Sequence, residues 1–95
     1  MALPVKFHKT FTKRVSKVYD FLSIEWNPDV AENFLHILRQ RVAAIQNNSA
    51  LGSMTSVKGV RSISITKHNR LFYKTYPDRI AILYLKDTRK RTYKR

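Results

Sequence analysis

VRSISITKHNRLFYKTYPDRIAILYLK, residues 60–86, is where the chain adopts a period of two. In 60–66, Ile63 and Ile65 alternate with Ser62, Ser64 and Thr66, the pattern of a strand with one buried face. Lys67-His68-Asn69 makes a turn, RLFYKTY (70–76) a second strand, and Pro77-Asp78 the next turn. RIAILYLK (79–86) is apolar without a break from Ile80 to Leu85, which predicts a central strand buried on both faces. The strand at 70–76 interleaves large apolar and aromatic residues with cations. One set of its side chains belongs in a core; the other, with Arg70, Lys74 and Tyr76, looks onto an open face.

Working outward, 46–59 is polar, holds both glycines and reads as the main loop. Before it, Ala31, Leu35, Leu38, Val42 and Ile45 recur at helical spacing, widened by Phe34 and Ile37. An earlier stripe, Phe11, Val15, Val18, Tyr19, Leu22 and Trp26, predicts another helix. Asn27-Pro28 divides the two, since Asn caps a helix and Pro suits its first position. Asp29 and Glu32 then sit in the first turn, where the helix dipole favours anions. VKFHKTF (5–11) alternates and reads as a short first strand. The order β-α-α-β-β-β predicts an α+β fold: an antiparallel helical hairpin on one face of a mostly antiparallel four-stranded sheet. The first strand would take the far edge, and the second face would be partly free. The expectation is one domain, 1–95, with a basic C-terminal tail at 88–95.

Charge is the strongest global feature. The net charge is +13, and twelve of the 19 cations but only two of the 6 acids lie beyond residue 56. Self-repulsion of that size opposes folding, so a polyanionic partner is expected. Without cysteine there is no disulfide framework and no thiolate zinc site, which fits a reducing cytoplasm. No apolar run is long enough for a signal peptide or a membrane span, so no membrane partner is expected. His8, His36 and His68 are scattered, with no paired carboxylates near them, so neither metal nor other cofactor is expected.

In element order, in size, and over GVRSI (59–63), HNRLFYK (68–74) and ILYLKDTR (82–89), the chain resembles toxins of the RelE/ParE type from bacterial toxin–antitoxin modules. The resemblance covers nearly the whole chain in layout and is most specific over 59–89. It implies one of two activities: cleavage of messenger RNA in the ribosomal A site, as in RelE-like members, or poisoning of DNA gyrase, as in ParE-like members. It implies a catalytic set of Arg61, Arg70, Arg89 and Tyr93. Arg70 matches the arginine of the family's RL-aromatic-Tyr strand, Arg61 a cation on the strand before, and Arg89 the arginine after the last long strand. Tyr93 follows Arg89 more closely than in the best-known members, and Ile63 stands where they carry a second lysine. Lys67, His68, Lys74, Lys90 and Arg91 are the expected substrate contacts.

Attack by a ribose 2′-OH needs a base, charge stabilisation at the phosphorane and protonation of the leaving oxygen. Guanidinium suits the second task, because it is always charged and bonds phosphate through two parallel donors. The base is left open between Tyr93, its pKa lowered by cations, and His68. A purely structural role for Arg61, paired with Asp78 or Asp87, is the alternative to a catalytic one. The first expectation is a toxin that cleaves messenger RNA on the ribosome and inhibits translation; a gyrase poison without nuclease activity, and a non-toxic basic nucleic-acid-binding module, stand beside it. Both toxin readings imply a cognate antitoxin with an acidic, amphipathic segment.

Overall fold

The computed structural model describes residues 3–88. The expected Arg89, Lys90, Arg91 and Tyr93 therefore lie outside the described residues, as does nearly all of the basic tail. The elements run β1 (Val5–Phe7), α1 (Lys9–Glu25), α2 (Pro28–Asn47), β2 (Ser53–Met54), β3 (Val60–Thr66), β4 (Asn69–Tyr76) and β5 (Arg79–Asp87). The α+β fold is as expected, with one strand more. Ser53 and Met54 pair with Ser62 and Arg61, adding a two-residue edge from inside the segment read as loop.

The sheet order is β1-β5-β4-β3-β2. β1 lies parallel to β5 at one edge, and the other pairings are antiparallel. β5 is thus interior, as its unbroken apolar run requires, and Ile80, Ala81, Ile82 and Leu85 are buried. The β4–β5 ladder shifts register at Phe72/Tyr73, where Phe72 opposes Tyr84 and Tyr73 opposes Ile82. Leu83 is the extra residue. The bulge lets Ile82 and Leu85, an odd number of residues apart, share one face.

The helices pack on that face. Phe11 of α1 and Phe34, Leu38 and Ile45 of α2 meet Ile65, Leu71, Tyr73, Ile80, Ile82 and Leu85 in one core. Val15, Val18, Leu22, Leu35 and Val42 pack around it, so both sequence stripes serve the core. Trp26 departs from its stripe: it follows the last residue of α1 and is 69% exposed. Asn27 caps α2, its Oδ1 accepting from Val30 N at 3.0 Å, with Pro28 as the first helical residue.

Candidate functional site

Strand register decides which side each functional side chain takes, because residues opposed across a ladder share a face. Arg70 opposes Ser64 on β3 and Lys86 on β5. Phe72 opposes Ser62 and Tyr84, and Lys74 opposes Val60 and Ala81. Tyr76 opposes Arg79, and Lys6 opposes Ala81. This set lies opposite the helix-packed residues, on a face that no other described element covers.

The open face is built from cations and rings. Phe72 and Tyr84 stack with centroids 4.8 Å apart and planes 24° from parallel. Lys86 Nζ stands 6.0 Å from both centroids. The Arg79 guanidinium lies 4.0 Å above Tyr76, and Lys74 Nζ is 5.2 Å from the same ring. Arg70 rests over the strand beside it: Nε donates to Ser62 Oγ at 3.2 Å and a terminal nitrogen donates to Ser62 O at 3.4 Å. Both acceptors are neutral, so the guanidinium keeps its full charge. Among the described residues the carboxylate on this side is Asp78, at the β4–β5 turn, bonded to Arg79 at 2.9 Å. Asp87 opposes Asn69, which puts it on the helix side.

Arg61 is not part of this face. It opposes Tyr73, a fully buried core residue, and shares its side with Ile63 and Ile65. Its guanidinium donates to Gly52 O at 2.7 Å and Ala50 O at 3.4 Å. The Tyr73 hydroxyl holds the same loop, donating to Ser49 O at 2.9 Å and accepting from Gly52 N at 2.8 Å. Arg61 is therefore bound to backbone carbonyls, not to Asp78 or Asp87. The expected gathering of Arg61 with Arg70 does not occur, because residues 61 and 70 fall on opposite faces of the β3–β4 ladder.

Lys67 is exposed in the β3–β4 turn. His68 lines a groove of about 540 Å³ on the helix side, with Thr66, Asn69 and Asp87 from the strand ends. Arg14, Lys17, Phe21, Trp26 and Val30 form its helical walls. Phe21 and Trp26 are more than half exposed there. Arg14 Nε is buried with no hydrogen-bond partner among the described residues. Sequence reasoning missed this groove and the Phe72–Tyr84 pair. The signal for the groove was an aromatic, Trp26, at the junction of two helices. The pair could not be found without the position of the bulge.

Among the described residues no group of three or more His, Cys, Asp or Glu is placed to hold a metal. No helix among them is long and apolar enough to cross a membrane.

Comparison with known proteins adds the family. No curated protein sequence matches the chain. Among solved structures, the chromosomal ParDE toxin–antitoxin system of P. aeruginosa is similar at TM-score 0.77 and 17% identity, over 90% of this chain and 96% of that one. The YoeB dimer of Staphylococcus aureus is similar at TM-score 0.65 and 17% identity, over 90% and 97% of the two chains. YafQ of E. coli strain BL21(DE3) is similar at TM-score 0.62 and 16% identity, over 93% and 96%. At such identities these likenesses show the fold. The family model of the ParE toxin of type II toxin–antitoxin systems, parDE, matches residues 5–91, and the chain accordingly belongs to that toxin family.

Proposed function

We propose that this toxin arrests growth as ParE-like toxins do, by poisoning DNA gyrase, and that it acts as a binder rather than a nuclease. One observation carries the reading. Two of the cations that RNA cleavage would draw together, Arg61 and Arg70, lie on opposite faces of the sheet, and Arg61 is engaged with loop carbonyls. Transition-state stabilisation needs donors aimed at one developing charge. The open face instead offers a broad cationic and aromatic surface suited to holding a partner. The test is supercoiling by purified gyrase with the purified toxin added. Loss of supercoiling with accumulation of cleaved plasmid is expected, and unchanged supercoiling would overturn the proposal.

Ribosome-dependent cleavage of messenger RNA remains the second reading, favoured by Arg70, which keeps an un-neutralised guanidinium on the open face beside Lys86. Mapping of transcript ends after induction separates the two: new ends within codons support cleavage, and intact transcripts support the gyrase reading.

A cognate antitoxin belongs to either reading, as in the E. coli DinJ–YafQ toxin–antitoxin complex. Its acidic amphipathic segment fits the groove on the helical hairpin. Phe21, Trp26 and Val30 offer apolar surface, and Lys17 offers a positive charge beside Arg14, whose buried Nε has no hydrogen-bond partner among the described residues. The toxin acts in the cytoplasm, where gyrase, ribosomes and antitoxin are found.

A further inference from the structure

We propose that the N-terminal half of α1 holds the phosphate backbone of duplex DNA, through the row Lys9, Lys13 and Lys17 with Arg14 in the cleft beside it. The proposal rests on the gyrase reading only for where the duplex comes from: a toxin that traps gyrase on DNA has a duplex at hand.

The first argument is that α1 is charged against itself. Lys9, Lys13 and Lys17 stand four residues apart, a straight row with about 6 Å of helix between neighbours. Like charges at that spacing repel and weaken a helix. The row also occupies the positive end of the helix dipole, where cations are unfavourable. α1 has no acid in its first turn, and its cap residue, His8, makes no side-chain capping bond. Its acids, Asp20 and Glu25, fall in its second half, towards the end that favours cations. α2, packed beside it, has the ordinary arrangement, with Asp29 in its first turn. Among the described residues, none of the three lysines is in an ion pair. An anion from outside relieves both costs.

The second argument is what the row is made of. From residue 9 to 17 the exposed side chains are Lys9, Thr10, Thr12, Lys13, Ser16 and Lys17. Cations and hydroxyls are the groups that contact phosphate oxygens and sugar. No exposed ring stands in the row to stack an unpaired base, and Phe7, just before it, is stacked on Phe11. No exposed apolar side chain stands there either. An amphipathic acidic peptide finds its anchors in the neighbouring groove, at Phe21 and Trp26. A duplex asks for neither ring nor anchor, because its charges lie outside, one per about 1.7 Å of axis. Lys9, Thr10, Lys13, Arg14 and Lys17 line, with Leu85 of β5, a cleft of about 480 Å³, so the row borders a recess and not a flat wall. Arg14 and Lys17 line the antitoxin groove as well, so an antitoxin seated there contests the duplex.

The experiment is fluorescence anisotropy of a short labelled DNA duplex of mixed sequence, titrated with the purified chain over a range of sodium chloride, with no gyrase present. Lys9→Gln, Lys13→Gln and Lys17→Gln should each lower the slope of log K against log salt by about 0.9. Lys58→Gln and Arg39→Gln remove the same charge from exposed positions elsewhere and should leave the slope unchanged. Lys13→Gln, with a lysine on either side, should also melt higher than the wild type. Circular dichroism establishes that each variant is folded. In NMR spectra, the amide signals of residues 9–17 should move when the duplex is added.

Slopes that fall equally for the row and for the two controls would overturn the proposal and leave only attraction by net charge. So would amide shifts confined to β4 and β5, which place the duplex on the open face. Oligothymidylate bound as tightly as the duplex, or an RNA duplex bound more tightly, would overturn the choice of ligand. Duplex binding at α1 with supercoiling by gyrase unchanged removes the gyrase reading alone. Gyrase inhibition by a toxin whose three lysine variants bind duplex as the wild type does removes this site alone.

Discussion

Arg61 and Tyr73 face each other across β3 and β4 and hold the same loop, and the physics of that loop is testable one atom at a time. The Tyr73 hydroxyl is the acceptor for the buried Gly52 N–H. Tyr73→Phe leaves that donor without an acceptor, which costs about 1–3 kcal/mol and should be read as a lower midpoint in urea. Gly52→Ala should cost more. A Cβ there would lie 2.8 Å from Ser62 O and from the Tyr73 hydroxyl, so backbone or a core side chain has to shift. Arg61→Gln should cost less, because Arg61 is only half-buried and water can replace part of what it donates. At equal folded dose it should leave growth arrest intact; loss of toxicity in a folded Arg61→Gln variant would return Arg61 to the functional site. The sequence already contained the parity that separates Arg61 from Arg70. In VRSISIT, Arg61 is in phase with Ile63 and Ile65, on the core side, while β4 puts Arg70 in phase with Phe72 and Lys74. What parity could not give was the loop itself, whose backbone supplies the partners of both side chains.

At the scale of elements, legibility followed the strength of the local pattern. Both helices and the three long strands were readable because apolar periodicity and the Asn27-Pro28 junction are written within each segment. The Asn27 cap formed as expected, and Asn27→Ala should cost about 1 kcal/mol by removing an acceptor for the first turn of α2. The β5 bulge and the two-residue β2 were not readable, since each depends on a neighbouring strand. The hairpin carries a contact that also lay beyond the sequence: the Tyr19 hydroxyl of α1 donates to Glu32 on α2. Glu32 accepts this hydrogen bond and adds its own negative charge, so the Tyr19 pKa is raised from its ordinary value. A raised folded-state pKa means that this contribution is complete below the unfolded tyrosine value and is lost as pH climbs through the folded one. Residue-resolved NMR titration should therefore find Tyr19 ionising late in the wild type, and Glu32→Gln should bring its pKa down. On the same hairpin, Trp26→Glu puts a charge on an exposed groove wall. It should weaken antitoxin binding at least tenfold while the melting temperature of the free toxin stays put. Unchanged affinity by calorimetry would move the antitoxin off the groove.

The whole molecule is organised as a sheet with two unlike sides. Helices and apolar core occupy one, and cations and rings occupy the other. The groove offered to the antitoxin lies on the helix side, and the cationic, aromatic face lies behind it. The net charge of +13 opposes the compact state that creates this face. Screening shortens the reach of that repulsion from roughly 10 Å at 0.1 M salt to 3 Å at 1 M. The melting temperature of the free toxin should therefore rise as sodium chloride is added. A residue-level version of the argument is sharper. Lys86→Glu turns a directly opposed like pair into an ion pair with Arg70, which should stabilise the free protein by about 0.2–1 kcal/mol. The gain should shrink in high salt. The same change puts a negative charge beside the Phe72–Tyr84 rings, so toxicity in growing cells should fall as stability rises. A protein made more stable and less toxic by one side chain is one whose repulsion is retained for an anionic partner. If Lys86→Glu lowers the melting temperature, or raises it with toxicity intact, the cationic face is a general solubility device and its partner must be sought elsewhere.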